Sequence, residues 1–241
     1  MLDVHPPHEA AHTWKDFFIH IATIVIGLLI AIGLEQTVEM VHRASERREL
    51  LRAIHAECEE NVKTLASDIA SMQPQIEWAT RVVKALLAAP VTHGTIKVTF
   101  PAYPSVSAVN APSRAVWAVA HSSGKAALLP ENVAETFDRL DRQAEQCLLA
   151  IDRTNTARQA VANFEVKTGK ALEPGQTSQL TLAHRDELLG LLAAVINEEA
   201  SAVVWAARWE GASQAVLHGA TTRGDLAPYM VRAEHAALGT H

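Results

Sequence analysis

Three histidines close to the start of the chain have the side-chain chemistry of metal ligands. His5, His8 and His12 lie in the segment HPPHEAAH, and Glu9 lies between the last two of them. This number of imidazole and carboxylate groups is sufficient for a zinc-type site. The two prolines after His5 prevent one helix from presenting all three imidazoles. We therefore expect a solvated or headgroup-contacting tail here, with metal binding as the weaker alternative.

His20 is a further candidate ligand, because it is the one ionisable side chain in the apolar run FFIHIATIVIGLLIAIGL, residues 17–34. An ionisable residue in such a run is a candidate functional site. Its neutral imidazole could ligate haem or a chlorophyll-type pigment. It lies near the start of the run, however, where it can reach lipid headgroups. An interfacial position or a hydrogen bond to a neighbouring helix is therefore favoured.

The remaining reactive residues form no catalytic pattern that we recognise. The sequence contains no glycine-rich phosphate loop, no CxxC and no GxSxG motif. Residues 121–123, His-Ser-Ser, and the pair Glu198 and Glu199 are neighbours on helices, so their side chains point in different directions. We expect a polar helix end at the first and a solvated edge at the second. The sequence predicts no enzymatic activity and no cofactor.

The composition excludes two classes of protein. With 27 acidic against 21 basic residues the chain has a net charge of −6, which argues against nucleic acid as a partner, since that requires a concentrated basic face. Two cysteines, Cys58 and Cys147, are too few for a disulfide scaffold. We expect both to be buried free thiols, with one bridge between them as the alternative.

Residues 17–34 form the first predicted element, and they contain no Asp, Glu, Lys or Arg. As a helix this run is roughly 27 Å long, enough to cross the hydrocarbon of a bilayer. Trp14 precedes the run, and Glu35 and Glu39 follow it. We predict a retained transmembrane helix. A cleavable signal peptide is the alternative, because residues 31–33 resemble a small-residue cleavage site.

The flanking charges favour one orientation of this helix weakly. Lys15 is the one basic residue before the run, whereas Arg43, Arg47, Arg48 and Arg52 follow it. The positive-inside rule then puts the C-terminal domain in the cytoplasm. Lys15 lies closer to the membrane than any of the arginines, which weakens this preference.

The predicted helix carries small side chains on one side. Thr23, Gly27 and Ala31 recur every four residues, and His20 precedes them on the same side. We call these three small residues the small-residue face. In lipid, where no hydrophobic force drives helices together, close approach at small residues supplies association. Because one span has no other span of its own chain to contact, this face predicts packing against a helix of another chain.

Apolar residues spaced by three and four predict an all-α fold, in which the transmembrane helix continues into an antiparallel helical bundle. The stripe of the first long helix contains Leu51, Ile54, Cys58, Val62, Leu65, Ile69, Met72, Ile76, Val83 and Leu86, and that of the last contains Leu189, Leu192, Ile196, Ala200, Val203 and Ala207. A short helix is predicted from about Ser113 to a stop at Gly124, and another long helix from Pro130 to near Gly169. Alternating apolar residues before Pro101 predict a short extended segment without a sheet. The predicted segments are a tail at 1–16, the span at 17–34, a juxtamembrane helix at 35–90 that is kinked or split near Pro74, a proline-braced loop at 91–112, the rest of the bundle at 113–218 and a loosely ordered tail at 219–241.

Two segments resemble a known group of proteins. The opening VHPPHEAAHTWKDFFIHIATIVIGLLIAIGLEQTVE is similar to the start of uncharacterised bacterial single-pass membrane proteins, which have an Ile/Gly/Leu-rich span and a helical C-terminal domain. Residues 117–131, WAVAHSSGKAALLPE, resemble a helix junction of the same group. The resemblance implies a membrane-anchored architecture in the bacterial inner membrane, and it implies no activity.

These observations lead to one leading functional hypothesis and two alternatives. The leading hypothesis is a non-enzymatic accessory or scaffolding subunit of a larger membrane complex, with a pigment- or electron-transfer complex as one host. Its partners would be membrane lipid and other transmembrane helices, in a hetero-complex or a homodimer, with no nucleic acid. The first alternative is a single-pass sensory or signalling module. The second is a metal-dependent enzyme that uses the N-terminal histidines.

Overall fold

The computed structural model describes residues 14–102, 112–169, 172 and 175–239. The chain divides into two compact units, Met1–Glu49 and Leu50–His241. The described residues form α1 (Trp14–Ala88), β1 (Val91–Thr92), β2 (Thr95–Thr99), α2 (Ala115–Ser122), a short 3₁₀ helix (Lys125–Leu128), α3 (Glu131–Thr168), β3 (Thr177–Thr181), α4 (Leu182–Leu217) and α5 (Arg223–Leu238). The mostly helical fold is confirmed.

In the first unit, the described residues belong to α1, and residues 14–43 are all exposed. The few hydroxyl groups in this part bond to their own helix. Thr23 donates to the carbonyl of Ile19 at 2.8 Å, and Thr37 donates to that of Gly33 at 2.7 Å. These bonds back to the preceding turn satisfy the hydroxyl hydrogens without a second element.

In the second unit, α1 continues to Ala88 and passes through Pro74. The alternative that Pro74 splits this helix is therefore wrong. Proline removes only one backbone donor, and the apolar face on both sides of it is buried, so packing holds the helix together. The apolar stripe predicted for this helix contained Leu65 and Met72, and both are buried.

The antiparallel packing is confirmed for α4 but not for every pair. One core cluster joins residues 50–58 of α1 and the start of α3 to the end of α4. Another joins the last turns of α1 and α3 to the start of α4. Helix α4 therefore runs opposite to α1 and α3, which run in the same direction. The residues that show this are Leu50 and Leu86 of α1, Phe137 and Phe164 of α3, and Leu188 and Ala215 of α4.

A three-stranded antiparallel sheet corrects the prediction of a loop without a sheet at 91–112. Strand β2 pairs with β1 on one side and with β3 on the other, in the order β1-β2-β3. Thr95 lies opposite Thr181, and Thr99 lies opposite Thr177. The backbone N–H and C=O groups of β2 need hydrogen-bond partners on a neighbouring strand, and residues 177–181 supply them on one side. Residues 103–111 of the predicted loop lie outside the described residues.

The helix boundaries around α2 and α3 agree with the prediction. Helix α2 ends at Ser122 and is followed by Gly124 at φ 77°. Helix α3 starts directly after Pro130 and ends before Gly169 at φ 62°. Both glycines adopt the left-handed conformation that favours glycine at the end of a helix.

The prediction of a loosely ordered tail at 219–241 is wrong, because α5 lies there and packs on α4. Thr222 and Asp225 form a capping box that starts α5. Leu226 is buried, and the backbone of Tyr229 comes very close to α4: a methyl group on Gly211 would lie 2.5 Å from the carbonyl oxygen of Tyr229. The absence of a side chain at Gly211 allows this approach.

Candidate functional site

Residues 17–34 form an exposed apolar helix surface. None of these residues is buried, and Ile24 and Leu34 expose 69 % and 63 % of their surface. Continuous apolar patches of this size are rare on soluble monomers and mark interaction sites. Two helices, α1 and α4, are long and apolar enough to cross a membrane. In α4 a third of the apolar window is buried, against none in α1, because α4 supplies much of the core.

His20 lies on this surface and bonds to its own helix. Its Nδ1 is 3.0 Å from the carbonyl oxygen of Asp16. When Nδ1 carries the proton it donates to this oxygen, and Nε2 is then left as an acceptor or a ligand atom. The geometry is compatible with either reading of His20 from the sequence, and a ligand at this residue stays a prediction.

The small-residue face, Thr23, Gly27 and Ala31, is exposed along its whole length. Nothing lies within 4 Å of the position that a Cβ atom of Gly27 would take. The hydroxyl hydrogen of Thr23 is already used within the helix, so this residue presents a small surface. The face is open to the close approach of another helix, and packing of a partner here stays a prediction.

The apolar surface does not end with residue 34. Leu34, Val38 and Val41 expose 63 %, 68 % and 66 % of their surface, and we call these three residues the juxtamembrane row. On another side of the same helix, the side chains of Arg43 and Glu39 form an ion pair. Residues 34–46 therefore form an amphipathic helix whose apolar side is uncovered.

A buried polar layer lies inside the second unit. Arg158 on α3 donates from Nε to Oε1 of Glu199 on α4 at 2.8 Å. Glu199 is completely buried, whereas a fifth of the Arg158 side chain is exposed. Gln75 of α1 is also buried. We call Gln75, Arg158 and Glu199 the polar layer.

Along its own helix, each residue of the polar layer lies between members of the same two core clusters: Gln75 between Met72 and Trp78, Arg158 between Ala150 and Phe164, and Glu199 between Leu192 and Ala202. Oε1 of Gln75, Nη2 of Arg158 and Oε2 of Glu199 are buried and have no hydrogen-bond partner among the described residues. Burial raises the pKa of the Glu199 carboxyl, and Arg158 opposes this only in part.

Glu199 corrects the prediction of a solvated edge at residues 198 and 199. Of the apolar stripe predicted for α4, Leu192, Val203 and Ala207 are buried, but Leu189 and Ile196 are only half-buried. Leu188 and Val195 are buried beside them. The buried face therefore extends to one side of the predicted stripe, where it includes Glu199. Apolar spacing does not reveal a buried carboxylate, because its partner Arg158 lies 41 residues earlier.

On α1 the predicted stripe is also correct only in part, because polar residues occupy some of the buried face. Asn61, Asp68 and Gln75 are buried at intervals of seven residues. The predicted stripe contained their neighbours 62, 69 and 76, which are only half-buried. Asn61 donates from Nδ2 to the carbonyl of Ser113 at 2.7 Å and accepts from the Ser113 amide at 2.9 Å. It thereby fixes the chain just before α2.

The cysteines are buried free thiols, as the sequence predicts. Burial raises the pKa of Cys58 to about 12, and burial also raises that of Cys147 to about 12. A thiol with so high a pKa is a poor nucleophile and a poor metal ligand, because both roles need the thiolate. A cavity of about 20 Å³ lies beside Cys58, Asn61 and Asp141, which is room for one water molecule.

The described residues contain no group of three or more His, Cys, Asp or Glu side chains that could hold a metal ion. His5, His8 and His12 lie outside the described residues. Residues 8–12, HEAAH, have the HExxH spacing of zinc-dependent proteases, a signal in the sequence that was not among the predictions. On a helix this spacing puts the two imidazoles on one face.

No family model matches this sequence, and no curated protein or solved structure is similar to it at a significant level.

Proposed function

We propose that this chain is a non-enzymatic, membrane-anchored accessory or scaffolding subunit of a larger membrane complex. In this proposal residues 17–34 cross the bacterial inner membrane once, and the C-terminal domain lies in the cytoplasm. The observation that carries the proposal is that all eighteen residues of this run are exposed, including every Phe, Ile, Leu and Val in it. Their Phe, Ile, Leu and Val side chains favour insertion by roughly 4–7 kcal/mol before the penalties for His20 and the glycines.

The small-residue face supports assembly with another chain. Lipid tails are as apolar as leucine, so a smooth helix gains little by leaving lipid for a partner. A face of Thr23, Gly27 and Ala31 lets two backbones approach closely and gain van der Waals contact. His20, on the same side, adds a hydrogen-bonding group. A pigment- or electron-transfer complex would be a suitable host, because Nε2 of His20 could act as a ligand there.

Hydrogen bonds between the helices and connecting segments of the second unit support a scaffolding role. Asn61 holds the backbone of Ser113, and Arg158 holds Glu199. The indole nitrogen of Trp117 donates to Asp138 at 3.1 Å. These groups connect parts of this chain to each other, and such a domain offers a partner a rigid surface.

The proposal is tested on the full chain in native membranes. We expect the protein to stay in the pellet after sodium carbonate extraction, and to migrate in mild detergent with at least one other polypeptide. Extraction into the supernatant, or migration as a lone monomer, would overturn it. Stoichiometric zinc that is lost in a variant with both His8→Ala and His12→Ala would instead favour the metal-dependent enzyme.

A further inference from the structure

We infer that the partner of this helix is a second copy of the same chain, and that the two copies form a parallel coiled coil that extends past the membrane through the juxtamembrane row. This inference depends on the membrane anchoring proposed above. It adds the identity of the partner, the direction of the pair and the length of the interface.

The spacing of the residues defines the interface. Positions 27, 31, 34, 38, 41 and 45 alternate in steps of four and three, which is the heptad spacing of a coiled coil. Steps of four alone turn about 40° around a helix each time. Glu35 and Glu39 therefore turn away from the small-residue face, whereas Leu34, Val38 and Val41 return to it.

The juxtamembrane row needs a cover that lipid does not supply. Val38 and Val41 lie about 6 Å and about 10 Å beyond Leu34 along the helix axis. Beyond the hydrocarbon, each Å² of apolar surface left in water costs about 25 cal/mol. Both valines are about two-thirds exposed. Glu39 and Arg43 lie on another side of the helix and leave the row free of charge.

The single orientation proposed above makes a pair of copies parallel, because both chains then enter the membrane in the same direction. Among parallel coiled coils, a β-branched residue at the first apolar heptad position and leucine at the second favour two strands over three or four. Val38 occupies a first position and Leu34 a second one, whereas the second position after them holds Val41.

The charges beside the row also permit a second copy. In a parallel pair, flanking positions five residues apart face each other across the interface. Ile30 of one copy then faces Glu35 of the other, Thr37 faces His42 and Ala44 faces Glu49. These pairs bring no like charges together, although the helix carries several acidic residues. Gly27 also meets Gly27, so the closest approach is mutual.

Single cysteines test this inference in the full chain. Val38→Cys and Val41→Cys place a thiol in the row, whereas Glu39→Cys and Arg43→Cys are matched controls on the other side. All four residues are exposed in the chain, so none of these changes removes a core contact. Native membranes are treated with a short bismaleimide, and the wild-type chain controls for Cys58 and Cys147, which are buried.

We expect the two row variants to form a product of twice the chain mass at several times the yield of the two controls. Equal yields at all four positions, no product, or a product with a different polypeptide would overturn the inference. Carbonate extraction of the same membranes separates the two proposals. A variant that stays in the membrane without self-crosslinking contradicts only the second copy, whereas a variant that is extracted contradicts the anchoring itself.

Discussion

Arg158 and Glu199 meet through one hydrogen bond of 2.8 Å, from Nε to Oε1, although the arginine side chain can form two parallel bonds to a carboxylate. The second donor, Nη2, and the second acceptor, Oε2, are both buried without a partner among the described residues. The pair therefore joins α3 to α4 through one of the two bonds that a bidentate pair would make. An arrangement of this kind favours one alignment of two helices at a cost in stability.

Breaking this pair should destabilise the protein more than replacing it. Arg158→Met leaves the Glu199 carboxylate buried and unpaired, and we expect it to lower the free energy of unfolding by about 3 kcal/mol. The double variant Arg158→Met with Glu199→Leu removes both charges, and its loss should be smaller than that of Arg158→Met alone. Urea unfolding of the detergent-solubilised full chain, followed by circular dichroism, measures both. A double variant less stable than Arg158→Met would contradict this account.

The raised pKa of Glu199 predicts a loss of stability as pH rises. The folded chain binds this proton more tightly than the unfolded chain. Its contribution is therefore complete below the pKa of an exposed glutamate, about 4.3, and is lost as pH rises through the raised pKa. Glu199→Gln cannot ionise and removes this dependence. Burial also raises the pKa of Glu210, so the measured quantity is the difference in unfolding free energy between wild type and Glu199→Gln at each pH. We expect the unfolding free energy of Glu199→Gln to increase relative to that of wild type as pH rises.

The contact between α4 and α5 predicts opposite effects at two glycines of α4. At Gly211 a methyl group would lie 2.5 Å from backbone oxygen of Tyr229, so Gly211→Ala should lower the unfolding free energy by about 2 kcal/mol. At Gly190 nothing lies within 4 Å. Gly190→Ala should therefore raise the unfolding free energy by up to about 1 kcal/mol, because alanine favours helix. Thermal unfolding of the two variants side by side distinguishes them, and equal shifts would argue against close packing of α5.

The two thiols should be unreactive until the second unit unfolds. Their pKa values near 12 leave almost no thiolate at neutral pH, and both side chains are buried. Native protein in mild detergent should consume almost no Ellman reagent within minutes, and protein in guanidinium should consume two equivalents per chain. Rapid reaction of the native protein would show that the core around Cys58 or Cys147 opens easily.

Local signals in the sequence predicted most helix boundaries correctly. Pro130 and Gly169 limit α3, and Gly124 follows α2, because these residues act on the chain next to them. The tail at 219–241 was predicted wrongly from the same residue types. Helix α5 contains Pro228 in its second turn and continues past it, and Gly239 follows the end of the helix at φ 65°. Proline and glycine therefore occur next to or within helices as well as in segments without a helix.

Features that depend on tertiary contacts were not predictable in this way. Strand β3 contains one buried residue, Leu180, and its partner β2 lies about 80 residues earlier, so its own pattern is weak. The buried faces of α1 and α4 were predicted only in part, because Asn61 and Glu199 are polar. The exposed apolar run and its small-residue face were visible, since they depend only on spacing within one helix. The polar layer was not, because three separate helices form it.

Two side chains of α1 hold the chain on either side of residues 103–111. The indole nitrogen of Trp78 donates to the carbonyl of Pro101 at 3.1 Å, and the side chain of Asn61 forms two hydrogen bonds to the backbone of Ser113. A reporter peptide inserted between residues 102 and 112 would leave both attachments intact. Such a tag would report, by protease or antibody access, on which side of a membrane the second unit lies under the anchoring proposed above, without altering either terminus.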